Sequence, residues 1–237
     1  MHKKFYHVQF VTGSDSKKWY EKRVSKKCKV IISGSEISNI KISSKSHNLN
    51  KILFISSGLE KGTYSLEEFY KTINQLRIIA KKHPQIDILY RPHPAENLAI
   101  IKKILKSKLF KSTNFLLLDG NESLDLQIME SDLIISKNSS AILNALSIRK
   151  PAILISLDQD NYFLNMLKKV SLTINKIESL DSSILFLLKP KNYQKWSKDI
   201  IQNQNKYLKK QLSKRYKDPL QFISKKIIYL YKLQFEK

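Results

Sequence analysis

The 237-residue sequence has very little of three residue types, since it contains five glycines, six prolines and one cysteine. The single cysteine, Cys28, excludes an internal disulfide and a cysteine-rich zinc site. The glycines form neither a P-loop nor the G-x-G-x-x-G fingerprint of dinucleotide-binding proteins. No apolar run reaches the roughly 18 residues that a transmembrane helix needs, and "MHKKFYHVQF" has no apolar signal-peptide segment. These absences favour a cytoplasmic protein.

Acidic residues are also scarce, 20 against 43 basic ones, which gives a formal net charge of +23. Such an excess favours polyanionic partners, namely nucleic acid, an anionic membrane surface or a phosphate-bearing substrate. The lysines are scattered, and no zinc-finger spacing, RNA-recognition signature or helix-turn-helix pattern accompanies them. Nucleic acid is therefore an unlikely partner, and a compositional bias of the source genome explains the charge equally well.

From residue 51 onward, short apolar runs alternate with helical patterns. The predicted strands are KILFISSG, IDILYR, NFLLLD, DLIIS, PAILIS and VSLTI. The predicted helices are SLEEFYKTINQLRIIAKKHP, AENLAIIKKILKSKLF, ESLDLQIME, SSAILNALSIRK, NYFLNMLKK and KIESLDSSILFLL. Ser65 and Glu68 have the spacing of a capping box at the start of the first helix. Apolar runs of this length between helices predict an α/β fold, a doubly wound Rossmann-like parallel sheet over 51–190.

The two ends of the chain differ from this middle region. Residues 1–50 hold two more predicted strands, FYHVQFVTGS and CKVIISGS, joined by the helical KKWYEKRVSKK and followed by a polar linker. One strand-helix-strand piece is too small for a domain. It is expected to be the remnant of an N-terminal domain plus a linker, or an added edge of the main sheet. Residues 191–237 are predicted to be a helical tail with a break at Asp218-Pro219.

Polar residues follow four of the predicted strands. Ligands of open parallel sheets bind beyond the carboxyl ends of the strands, so these residues are expected to converge on one edge. The four clusters are Ser56-Ser57-Gly58, Arg91-Pro92-His93-Pro94, Asp119-Gly120-Asn121-Glu122 and Ser136-Lys137-Asn138-Ser139-Ser140.

Two of these clusters have chemistry suited to a phosphate. Ser139 or Ser140 would cap a helix whose free N–H groups and positive dipole end favour an anion, and Lys137 adds a charge. His93 is fixed between two prolines and can donate a hydrogen bond to a phosphate oxygen. The structural alternatives are an ordinary serine cap and a histidine packed at a strand end. No second histidine or carboxylate lies at ligand spacing from His93, so neither a metal nor a cofactor is expected.

The order strand, RPHP, helix, followed by SDLIISKNSSAILNALSIRKPAILIS, resembles the C-terminal, donor-binding half of GT-B glycosyltransferases of bacterial surface polysaccharide synthesis. It is similar to CDP-glycerol glycerophosphotransferases and to capsule and polysialic acid transferases that use CMP-sugars. UDP-N-acetylglucosamine 2-epimerases share a related layout. The resemblance covers roughly residues 51–157 and touches 8–39. It implies metal-independent transfer from a CMP-, CDP- or UDP-linked sugar or polyol.

The resemblance also implies roles for particular residues. The donor phosphate would be bound by His93, Arg91, Lys137, Ser139 and Ser140. The donor nucleotide would be bound by Ser57, Gly58, Asp119 and Asn144. Asn144 stands where these families carry an acidic residue for the ribose, and its amide can still bind a hydroxyl. Asp132 would correspond to the aspartate that these families carry at the start of the strand DLIIS. The catalytic base is unassigned, although Glu60, Glu122 and Asp119 lie near the proposed edge.

The same resemblance leaves most of the N-terminal acceptor domain unaccounted for. The chain is expected to be truncated, degenerate or one subunit of a split enzyme whose partner supplies that domain. A lipid-linked or polysaccharide acceptor and a peripheral position at the inner face of the cell membrane would suit its charge. Two alternatives stay open: a UDP-sugar epimerase-like enzyme, and a non-catalytic basic binding or scaffold module for a partner subunit, anionic membrane or nucleic acid.

Overall fold

The computed structural model describes residues 7–34, 48–57, 65–106, 114–118, 121–137, 141–156, 167–211 and 218–235. Contacts between Cα atoms divide the chain into two compact units. The smaller unit comprises Met1–Ile40 and Asn205–Lys237, and the larger one comprises Lys41–Gln204. Among the helices of the described ranges, none is long and apolar enough to cross a membrane.

Strands and helices follow each other in the order that the sequence predicts. The strands are β1 (His7–Val11), β2 (Cys28–Ile32), β3 (Lys51–Ile55), β4 (Asp87–Arg91), β5 (Phe115–Leu117), β6 (Leu133–Lys137), β7 (Ala152–Ile155) and β8 (Leu172–Ile174). The helices are α1 (Ser14–Glu21), α2 (Leu66–Lys82), α3 (Leu98–Lys106), α4 (Leu124–Glu130), α5 (Ala141–Ser147), α6 (Ser179–Leu187), α7 (Pro190–Gln211) and α8 (Pro219–Phe235). The helix predicted from NYFLNMLKK lies largely outside the described residues.

The larger unit is built on a six-stranded sheet with the order β5-β4-β3-β6-β7-β8. Every neighbouring pair is parallel; in the middle of the sheet, Leu53 pairs with Leu89 on one side and with Ile134 on the other. The chain builds outward from β3 to β5 and then returns to β3 to continue through β6 to β8. This reversal confirms the predicted doubly wound α/β fold.

Burial explains why these segments form parallel strands. All residues of β6 and β7 are buried, as expected when helices cover both faces of a parallel sheet. On one face, Phe54 stacks on Tyr90 with ring centroids 5.6 Å apart, and Phe69 meets Tyr90 at a steep angle. All three rings are at most 1% exposed. They form part of one core that lies beneath α2.

The start of α2 confirms the predicted capping box. The backbone N–H of Glu68 donates to Ser65 Oγ over 3.1 Å, and the backbone N–H of Ser65 donates to Glu68 Oε2 over 3.2 Å. The start of α3 differs from the prediction, because the helix begins at Leu98 rather than at Ala95. Residues 93–96 form a turn instead, and Asn97 Oδ1 accepts the N–H of Ala99.

The amino-terminal edge of the sheet is held by polar side chains. Asp132 Oδ2 accepts the backbone N–H groups of Asn50 and Lys51, each over 2.9 Å, and so joins the starts of β3 and β6. Tyr193 donates its hydroxyl to the backbone oxygen of Asp132 over 2.7 Å. Burial, together with the Asp132 charge, raises the pKa of Tyr193 far above its ordinary value. Asp132 thus lies at the edge opposite the strand ends that carry the predicted ligand contacts.

The smaller unit contains a separate sheet of two strands. β1 and β2 are parallel, with Gln9 opposite Val30. In the described residues they pair only with each other, so the idea that they extend the main sheet is wrong. Within the same unit, Phe10 meets Phe222 of α8 edge to face at 6.4 Å.

Candidate functional site

The strand order reverses between β3 and β6, whose carboxyl ends lie side by side. In open α/β sheets, ligands bind at such a point. Ser56 and Ser57 follow β3, Lys137 ends β6, and His93 follows β4 two residues after the strand. Each of the four predicted polar clusters therefore has described residues at this edge, and Arg91 at the end of β4 contacts Glu122 of the cluster that follows β5.

A tight turn after β4 holds His93. The backbone N–H of Glu96 donates to the backbone oxygen of His93 over 2.8 Å and closes the turn. The backbone N–H of Ala95 donates to Nδ1 of the imidazole over 3.1 Å. Pro94 occupies the second position of the turn, where its fixed φ is favourable, and Pro92 restricts the chain that enters it. The half-buried imidazole is thus tied to its own turn by one ring nitrogen.

A buried carboxylate lies beneath this turn. Glu96 is 7% exposed and accepts three hydrogen bonds. Ser56 Oγ donates to Oε1 over 2.5 Å, while Tyr90 Oη at 3.1 Å and the backbone N–H of His93 at 2.9 Å donate to Oε2. Glu96 therefore joins the end of β3 to the histidine turn. Glu96 is not among the site residues that the sequence predicts, although an acidic residue three positions after His93 indicates a turn anchor.

Lys137 is buried in an ion pair. Its side chain is 2% exposed, and Nζ lies 2.6 Å from Oε2 of Glu68, whose side chain is 33% exposed. Burial raises the pKa of Glu68, but hydrogen bonds from Lys137 and Ser65 outweigh it and hold the pKa below its ordinary value. The predicted phosphate contact Lys137 thus has a carboxylate as its partner in this structure, and the pair is neutral overall.

Arg91 is directed toward α4. Its Nη1 donates to the backbone oxygen of Glu122 over 2.9 Å and to Oε1 of Gln127. Burial lowers the pKa of Arg91, and the Glu122 charge opposes that effect. Both acceptor oxygens are uncharged, so these two hydrogen bonds hold the guanidinium in place without neutralising it.

The remaining predicted contacts divide into described and undescribed residues. Asn144, which is half-buried on α5, donates from Nδ2 to Asp125 Oδ1 of α4 over 2.9 Å. Ser57 is 8% exposed at the end of β3. The other predicted contacts lie outside the described residues, namely Gly58, Asp119, Ser139 and Ser140.

In the described ranges, no group of three or more histidine, cysteine, aspartate or glutamate side chains is arranged to hold a metal ion.

No family model matches the sequence, and no curated protein matches it. Solved structures do match. The UDP-GlcNAc 2-epimerase from Neisseria meningitidis, bound to UDP-GlcNAc, is 17% identical with a TM-score of 0.57, over 94% of this chain and 61% of its own. The Gap123 glycosylation-associated complex from Streptococcus agalactiae is 15% identical with a TM-score of 0.59, and the match covers 85% of this chain and 42% of that one. The C-terminal CMP-Kdo binding domain of WaaA from Acinetobacter baumannii is 12% identical with a TM-score of 0.50, and the match covers 69% of this chain and 92% of that one.

The fold is GT-B-like. The resemblance found in the sequence is confirmed at the level of the fold, since the matched structures share the Rossmann-like parallel sheet. This GT-B-like chain spans 42% of the Gap123 chain and 61% of the epimerase chain. By contrast, it spans 92% of the WaaA structure, which is a C-terminal CMP-Kdo binding domain.

Proposed function

We propose that this GT-B-like chain binds a nucleotide-activated sugar or polyol, linked to CMP, CDP or UDP, at the carboxyl edge of its main sheet. Its role would be that of a glycosyltransferase-like protein in surface polysaccharide synthesis. One observation supports this function most strongly. The strand-order reversal sets the ends of β3 and β6 beside a histidine turn that is anchored from below by a buried carboxylate.

The contacts of the edge suggest different tasks for its charged groups. The His93 imidazole would donate to an oxygen of the donor phosphate. Arg91 would supply a fixed positive charge, because its two described acceptors are uncharged. Lys137 would contribute less, since Glu68 already compensates its charge. Such preorganised donors stabilise the charge that develops on a leaving nucleotide phosphate during transfer.

Calorimetric titration of the folded protein with CMP, CDP and UDP tests this function. A hydrogen bond to a charged group contributes about 1.5–3 kcal/mol, so His93→Ala should weaken the preferred nucleotide by about tenfold or more. His83→Ala is the matched control, because His83 ends α2 at the opposite edge of the sheet. Absence of binding by all three nucleotides at millimolar concentration, or equal effects of the two substitutions, would overturn the proposal.

An epimerase-like reaction on a UDP-sugar is the second candidate. It is favoured by the match to an epimerase solved with UDP-GlcNAc. Incubation of the protein with UDP-GlcNAc, followed by NMR of the sugar, separates the two candidates. Appearance of the 2-epimer would establish the second function. If the protein binds UDP but leaves UDP-GlcNAc unchanged, the result favours donor binding for sugar transfer.

A non-catalytic role in an assembly is favoured by a different match, because the Gap123 structure is a complex of glycosylation-associated proteins. In that case the chain would copurify with a protein partner, whether or not it binds a nucleotide. Size-exclusion chromatography after coexpression with the neighbouring genes, with a sugar-transfer assay of each fraction, tests this. Transfer activity in the fraction that contains the chain alone would exclude a purely accessory role.

A further inference from the structure

The histidine turn leaves only one ring nitrogen of His93 for a ligand. Nδ1 accepts the backbone N–H of Ala95, and a nitrogen that accepts a hydrogen bond from a donor cannot itself carry a proton in that arrangement. In a neutral imidazole the proton must then lie on Nε2. The nitrogen left for the ligand is therefore an N–H donor rather than an acceptor.

Glu96 determines where this donor lies. Its Oε2 accepts the backbone N–H of His93, and the backbone N–H of Glu96 donates back to the oxygen of His93. Its two carboxylate oxygens also receive the hydroxyls of Ser56 and Tyr90, which belong to the ends of two adjacent strands. The histidine turn is thus fastened to β3 and β4 through one buried side chain.

We propose that Glu96 is a positioning residue that holds His93 as the Nε2–H tautomer, so that the donor phosphate meets a neutral, fixed hydrogen-bond donor at the end of β4. This inference rests on the proposed nucleotide binding, but the state of the ring can be measured without any nucleotide. Glu96 touches no ligand in this scheme. It acts through His93 alone.

The first experiment reads the imidazole directly. In two-bond ¹H–¹⁵N NMR spectra of the wild-type protein in mildly alkaline buffer, His93 should show a protonated Nε2 and an unprotonated Nδ1. Glu96→Ala should move both ring-nitrogen signals toward averaged values, because the turn loses its anchor. A protonated Nδ1 in the wild-type protein, or unchanged signals in Glu96→Ala, would overturn the inference.

The second experiment uses a conservative replacement. Glutamine keeps one acceptor oxygen for the N–H of His93, and its NH₂ group can donate to the Ser56 hydroxyl, which can also accept. Glu96→Gln should therefore keep the ring signals of the wild-type protein and its nucleotide affinity within about twofold. Glu96→Ala should weaken the nucleotide by about tenfold. Equal losses in the two variants would contradict the positioning role.

A matched control separates positioning from general destabilisation. Asn114 is also 7% exposed, and its Nδ2 donates to the carbonyl oxygens of Ala80, His83 and Ile86 at the opposite edge of the sheet. Asn114→Ala should lower the unfolding temperature about as much as Glu96→Ala while the nucleotide affinity stays unchanged. Loss of affinity in Asn114→Ala would indicate that the Glu96 effect is only structural.

A double substitution completes the test. If Glu96 acts through His93, Glu96→Ala has no further effect on nucleotide affinity in a His93→Ala background. A second tenfold loss in that background would show that Glu96 acts independently of the imidazole. If the wild-type protein bound no nucleotide, the proposed function would fail, whereas the ring signals would still decide whether Glu96 fixes the tautomer.

Discussion

Removal of the Glu68 carboxylate should destabilise the larger unit more than removal of its partner charge on Lys137. Lys137 is 2% exposed, so Glu68→Ala leaves a buried ammonium without its carboxylate. Breaking a fully buried pair in this way costs about 3–5 kcal/mol. Because the Glu68 side is one-third exposed, water can replace part of the contact, and we expect about 2 kcal/mol. Loss of the capping-box contact with Ser65 adds about 0.5 kcal/mol.

Lys137→Met is the matched variant, since methionine fills similar space and carries no charge. The carboxylate of Glu68 then stays hydrated at its exposed side and keeps the N–H of Ser65, so the cost should be below about 1 kcal/mol. Urea unfolding measures both changes. In a Trp19→Phe background the only remaining tryptophan is Trp196, which packs against the core of the larger unit. Equal costs for the two variants, or a cost below about 0.5 kcal/mol for Glu68→Ala, would refute the asymmetry.

Three further predictions concern the polar contacts of the larger unit. The lowered pKa of Glu68 means that its ionised form stabilises the fold fully above pH 4.5, and that this contribution is lost as the pH falls through the lower folded-state value. Acid unfolding of the wild type should therefore be steeper below pH 4.5 than that of Lys137→Met, and identical profiles would contradict this. Asp132→Ala should lower the free energy of unfolding in urea by about 1–2 kcal/mol, because two backbone N–H groups lose their acceptor. Its nucleotide affinity should stay unchanged, and an altered affinity would show that Asp132 acts on ligand binding. Tyr193→Phe should cost about 1 kcal/mol by the same measurement, and a neutral effect would mean that its buried hydroxyl bond contributes nothing.

The strands of the main sheet could be predicted from the sequence because buried parallel strands are uninterrupted apolar runs. KILFI, AILI and their neighbours carry that signal within four or five residues, and the capping box of α2 is equally local. The start of α3 was misplaced, since Pro94, Ala95 and Glu96 suit the first turn of a helix as well as they suit a β-turn. The deciding hydrogen bond, from the N–H of Glu96 to His93, is not visible in the residue pattern.

The candidate site was predictable only where it depends on strand ends. His93 and Ser57 could be placed at the carboxyl edge because that edge follows from the alternation of strands and helices. The contact of Glu96 with Ser56 and that of Glu68 with Lys137 could not, because these pairs lie 40 and 69 positions apart in the chain. Such pairings depend on strand order, and strand order is not encoded in local periodicity.

The strand order also has a consequence for the growing chain on the ribosome. The last residue of β3, Ile55, meets its partner Ser136 of β6 across 81 positions, whereas β4 follows β3 closely in the sequence. At about 5–20 residues per second, one edge of β3 waits about 4–16 s for β6 to be synthesised. An open apolar strand edge is prone to aggregate during that interval. We therefore expect chaperones that bind nascent chains to engage KILFI before β6 covers it.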